Sequence, residues 1–219
     1  MDGLLLDTEA VHIRAYAELT RELGKPQTYE TLTRFIGHSH PVACRWLIDE
    51  AGCVGEVDAM IAREQEIYFQ MLTAERPEPL PGVKEMFDLS DELKMLRALV
   101  SSSVDYQVDP TMQIVSDHLR RGKPWKKNFQ SVCTGDRVEQ RKPAPDLYLL
   151  AIRELKLQPE ECVAFEDSPA GIEAACAAGL RVVAVPNFHL KNCDVVQGRT
   201  NFIFPTLLDV AENIEAILK

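Results

Sequence analysis

Basic residues are in short supply in this chain. Its 24 Lys and Arg stand against 34 Asp and Glu, for a net charge of −10. A surface that acidic repels phosphate backbones and anionic lipid, so no nucleic acid and no membrane is expected as its main partner. Long apolar runs are missing too, since none approaches the ~18 residues that span a bilayer. The first ten residues hold only Leu4-Leu5-Leu6 and no basic region. No signal peptide is read there, and a cytoplasmic location is expected. The six cysteines include no C-x-x-C pair and no zinc-finger spacing. Cys44, Cys53, Cys133, Cys162, Cys176 and Cys193 therefore read as reduced, small buried hydrophobes.

What is present is an ordinary globular composition. With 219 residues and 46% hydrophobic content, the chain can bury a real core. Residues from about 8 to 75 read as helices only. Val11, Ala15, Leu19 and Leu23 recur at four-residue steps, and Gly24 offers a left-handed cap. Shorter helices are predicted around Leu32–Ile36 and over Val42–Ala51, with a longer one from Val57. Arg76 to Gly82 holds three prolines and reads as a stiff linker. Beyond it strands and helices alternate. Strands are predicted at Leu96–Val100, Ser131–Cys133, Cys162–Phe165, Arg181–Val185 and Asn201–Phe204. Helices are predicted at Met86–Leu93, Pro110–Leu119, Asp146–Leu157, Gly171–Ala178 and Leu207–Leu218. That order implies an α/β fold with a parallel sheet covered on both faces.

Ligands of such sheets bind beyond the carboxyl ends of the strands. Polar residues collect there in this sequence. Ser101 and Ser102 follow one strand, and Glu166-Asp167 follow another. Ser168 and Pro169 suit an N-cap and a first helical position, which would hold the two acids rigidly. Adjacent fixed carboxylates call for a cation, and hard oxygen donors suit Mg²⁺. Lys142 lies between a basic neighbour and Pro143, in a loop that two prolines stiffen. A carboxylate pair, a lysine and a serine hydroxyl together suit a phosphoryl group. Singly, each has a plainer reading as a turn cap or a solvated side chain. Asp7 with Thr8 reads as a cap for the first helix.

DGLLLDTE (2–9), LVSSS (99–103), KPAPD (142–146) and FEDSPAGIEAACAAG (165–179) stand in the order of the four motifs of the haloacid dehalogenase-like hydrolases. The chain resembles that superfamily along its whole length, and within it the beta-phosphoglucomutase-like branch of sugar and small-metabolite phosphatases. The resemblance implies a Rossmann-like core, residues 1–9 and 76–219, with a helical cap domain at 10–75. It implies a Mg²⁺-dependent phosphatase that hydrolyses a small phosphate monoester through an aspartyl phosphate. Asp2 would be the acid/base, and its carbonyl would touch the metal. Glu166 and Asp167 would be metal ligands, Ser101 would bind the phosphoryl oxygens, and Lys142 would neutralise charge.

The first motif of the family is strand-D-x-D-G. Met1 occupies the x, so the nucleophilic aspartate and the first central strand would fall before residue 1. The expectation is that Met1 is an internal methionine of a longer protein, and that the 219-residue chain by itself is inactive. The alternatives are a non-catalytic phosphate-binding relative or a phosphosugar mutase. Mutases of the branch carry an arginine after a turn like Gly37, where this chain reads His-Ser-His, which favours a phosphatase. Among cap residues His12, Arg14, His38, His40 and Arg45 are candidates for reading the substrate, His12 and His40 first. His38 and His40 form H-x-H, but no third ligand stands near them in sequence, which argues against a transition-metal site. The expected partner is a small phosphorylated metabolite, and the expected state a monomer or weak dimer.

Overall fold

The computed structural model describes residues 1–36, 38–186 and 199–219. Gly37 and Cys193 of the sequence reading lie outside them. The chain divides into two compact units, Asp7–Pro77 and Met1–Leu6 with Glu78–Lys219.

The first unit is helical: α1 (Glu9–Glu22), α2 (Tyr29–Leu32), α3 (His40–Asp49) and α4 (Val57–Glu75). Asp7 starts α1 by accepting the Ala10 N–H at 3.3 Å, which satisfies one of the free donors of the first turn. Gly24 follows the helix with a φ of 71°, the left-handed geometry that glycine takes without a Cβ penalty. On α4, Met60, Glu64, Tyr68 and Leu72 recur every four residues and are all buried. This stripe packs α4 against α1 and α3. Each large apolar side chain so buried contributes about 1.5–3 kcal/mol. Glu64 is the one acid in the stripe.

The second unit alternates α5 (Val83–Glu92), β1 (Ala98–Val100), α6 (Asp105–Leu119), β2 (Ser131–Cys133), α7 (Asp146–Leu155), β3 (Val163–Glu166), α8 (Pro169–Ala177), β4 (Arg181–Ala184), β5 (Phe202–Ile203), α9 (Leu207–Glu212) and α10 (Ile214–Leu218). All described pairings between strands are parallel. Val100 pairs with Cys133, Phe165 with Val183, and Ala184 with Ile203. Helix α7 packs on β1 and β2, and α8 on β3 and β4. The alanines of α8 let its backbone come close to the sheet, where Ile172, Ala174 and Ala175 meet Ala164, Val182 and Ala184.

Three details differ from the sequence expectation. Helix α6 begins at Asp105 rather than Pro110, because the Gln107 side chain accepts the Val104 N–H at 3.2 Å and starts the helix a turn early. The last helix breaks at Asn213, whose φ and ψ of −112° and 12° leave the helical region. The strands form not one sheet but two, β1-β2 and β3-β4-β5. Strands β1 and β3 each present an edge to a cavity of about 360 Å³, lined among others by Leu5, Leu99, Val100, Tyr148, Ala164 and Phe165.

Candidate active site

The carboxyl ends of β1 and β3 carry the polar residues of the second unit. Ser101 directly follows β1, and its N–H donates to Cys133 O at 2.9 Å, extending the ladder by one bond. Its hydroxyl oxygen accepts the Ser103 N–H at 3.1 Å. The Ser103 hydroxyl in turn donates to Asp2 Oδ2 at 2.9 Å. The turn after β1 is clamped from the other side by Gly135, whose N–H donates to Ser103 O at 2.8 Å. A Cβ on Gly135 would overlap the Ser102 carbonyl, so only glycine permits that approach. The Arg141 guanidinium donates to Gly135 O at 3.0 Å and ties down the loop that carries Lys142.

Lys142 bridges the two strands. Its ammonium donates to Val100 O, the last carbonyl of β1, at 3.1 Å and to the Glu166 carboxylate at the end of β3. Tyr148 donates its hydroxyl to the same carboxylate oxygen. The Glu166 side chain is 6% exposed and that of Lys142 9%, so the charges are paired away from water, as buried charges must be. Gly171 closes the other side of Glu166, since a Cβ there would overlap its carboxylate. Ser168 caps α8 by accepting the Gly171 N–H at 3.2 Å. Burial pushes the Asp167 carboxyl up to about 7, with Glu166 adding to the rise while the Met1 ammonium and Lys142 oppose it. Burial likewise drives the Tyr148 phenol well above its ordinary value, with the Glu166 charge next in weight.

Asp2, Ser101, Ser102, Lys142, Glu166 and Asp167 thus all stand in the second unit, at or near the ends of β1 and β3. Asp2, Glu166 and Asp167 do not close into a tight ligand cluster: Asp2 is bonded to Ser103, and Glu166 to Lys142 and Tyr148. Among the described residues, the one group of three with ligand atoms within 4.8 Å of one another is His12, His40 and Glu64 in the helical unit. Candidate ligands thus do stand near His40 in space, from α1 and α4 rather than from His38, which is exposed. Arg14 pairs with Glu75 at 2.5 Å, and Arg45 is exposed. Burial lowers the His40 pKa, against the upward pull of the Glu64 charge.

The family of haloacid dehalogenase-like hydrolases matches residues 1–185. The chain belongs to that family. It is 34% identical over 203 residues to Protein CbbY of Rhodobacter capsulatus, covering 89% of this chain and 86% of that one. It is 31% identical to a phosphorylated carbohydrates phosphatase of Thermotoga maritima, covering 82% of this chain and 79% of that one. The solved structure of CbbY from Rhodobacter sphaeroides in complex with phosphate superposes with a TM-score of 0.76 at 24% identity, over 96% of this chain and 93% of that one. That likeness establishes the shared fold.

Tyr148, Ser103, Gly135, Gly171 and Glu64 were not singled out in the sequence. Glu64 had a visible signal, an acid at the four-residue step of an apolar stripe. Tyr148 had none, because a tyrosine inside an amphipathic helix reads as core.

Proposed function

We propose that the site at the ends of β1 and β3 is that of a Mg²⁺-dependent phosphatase acting on a small phosphate monoester of the phosphorylated-sugar class. The observation that carries this reading is Lys142, held between the last carbonyl of β1 and Glu166 at the end of β3. It places one fixed cation beside the serine turn and the acids, where a phosphoryl oxygen would need it. The Thermotoga relative's name adds the substrate class.

The donor set suits Mg²⁺. Asp2, Glu166 and Asp167 offer hard carboxylate oxygens. Burial raises the Asp167 carboxyl, with the Glu166 charge adding to the rise. Asp2 and Asp167 would hold the ion, with Glu166 acting directly or through water. The ion would supply Lewis-acid polarisation of the phosphoryl group and a template for it. The rest falls to the chain itself. Ser101 and Ser102 would donate hydroxyl hydrogen bonds to the phosphoryl oxygens. Lys142 would offset their charge. Asp2, fixed by Ser103, would give a proton to the leaving oxygen and later take one from water. The helical unit is read as the cap that selects the leaving group.

The edges of β1 and β3 along the cavity would accept one more parallel strand. The test compares this chain with a form extended by such a strand ending in an aspartate, screened for phosphate release from sugar phosphates with Mg²⁺. The extended form should be active, and its Lys142→Ala and Asp167→Ala variants should not. An inert extended form that still binds phosphate would replace the phosphatase with a non-catalytic binder.

A further inference from the structure

We propose that the helical unit binds a divalent transition-metal ion through His12 of α1, His40 of α3 and Glu64 of α4. This site is separate from the carboxylates at the strand ends and does not rest on the phosphatase reading.

The geometry is close to what such an ion needs. Tetrahedral zinc with bonds of about 2.0–2.1 Å sets its ligand atoms about 3.3–3.4 Å apart. His12 Nδ1 lies 2.8 Å from Glu64 Oε1, and His40 Nδ1 lies 3.4 Å from Glu64 Oε2. Ligand atoms of all three residues lie within 4.8 Å of one another, so an ion seated among them would require them to shift. Glu64 has no exposed side-chain surface, and its Oε2 accepts no hydrogen bond. A buried carboxylate oxygen without a donor is costly, and a cation in that position would satisfy it.

The ligands are also held. The His12 ring stacks on Tyr68 with centroids 3.8 Å apart and planes within 5°. All three donors sit on helices that pack together, so an ion there would tie α1, α3 and α4 at one point. The two imidazoles are partly exposed, 25% and 32%, which gives an ion a way in. Two imidazoles and one carboxylate leave positions open and favour zinc, iron, copper or nickel over Mg²⁺. The Tyr16 hydroxyl, 2.8 Å from His40 Nδ1, must give up that bond when the ion arrives and stands where it can fill an open position.

The test uses the full 219-residue chain, stripped with a chelator and titrated with zinc against a chromophoric competitor. One zinc per chain is expected, together with a rise in the thermal unfolding temperature. Cobalt in its place should show the visible absorption of a low-coordinate N/O site. Glu64→Gln and His40→Ala should each weaken zinc binding by more than the 10–100-fold that loss of an outer partner costs, roughly 100-fold or more. Asp167→Asn should bind zinc unchanged. Far-UV circular dichroism checks that each variant is folded, and His40→Ala, partly exposed at a helix start, serves should Glu64→Gln not fold. No zinc taken up at equimolar concentration would overturn the proposal. So would equal binding by the wild type and both folded variants, which would put the metal elsewhere.

Discussion

Replacing Gly171 by alanine puts a Cβ onto the Glu166 carboxylate. At an ordinary helix position the change would help, since alanine is favoured over glycine by about 1 kcal/mol. Here the carboxylate cannot yield freely, because Lys142 and Tyr148 hold it from the other side. Driving it away breaks a buried ion pair, which costs about 3–5 kcal/mol. The net expectation is a loss of about 2–4 kcal/mol after the helix gain is subtracted. For a chain of this size that lowers Tm by roughly 5–15 °C. Thermal and urea unfolding followed by circular dichroism would read it. The decisive arm repeats the substitution in a Glu166→Ala background, where there is no carboxylate to displace. There Gly171→Ala should be neutral or stabilising by up to about 1 kcal/mol. A single variant as stable as the wild type, or a penalty that persists without Glu166, would refute the reasoning.

Lys142→Ala should destabilise the chain by about 3–5 kcal/mol, because it leaves the Glu166 charge buried without its cation; adding Glu166→Gln should recover part of that, as urea midpoints would show. Tyr148→Phe removes a hydrogen bond to a charged group and should cost about 1.5–3 kcal/mol by the same measurement. Asp167 makes stability depend on pH. Its carboxyl is raised from 3.8 to about 7, so below about pH 4 both folded and unfolded states hold the proton and no penalty exists. From about pH 4 to about pH 7 the unfolded chain ionises while the folded one stays protonated, so stability falls as pH rises, and above about 7 the full penalty is in place. In chelator-treated buffer the urea midpoint should therefore decline across that window, and Asp167→Asn should flatten the decline; parallel curves for the two proteins would contradict it.

The elements that the sequence showed most clearly are those whose side chains face one way. Alternation of apolar strands with amphipathic helices announced the parallel arrangement, and Ser168-Pro169 announced the start of α8, because cap and proline act within one turn. The site residues were legible for a related reason. Strand-end positions in a parallel α/β fold share one rim, so Ser101 and Glu166 are placed together by topology alone. What escaped was anything decided by contact across that topology. Gly171 looks like a small residue in a small-residue helix until Glu166 is seen against it, and Gly135 looks like a turn residue until the Ser102 carbonyl is. The histidines were read along the chain, where His38 is the neighbour of His40. In space the neighbours are His12 and Glu64, brought in by the four-residue stripe of α4 and the face of α1 that packs on it. An acid placed on such a stripe has to meet a donor or a cation inside the protein, since no water reaches it there. That demand, rather than the spacing of histidines, is the sequence signal that points to the cluster.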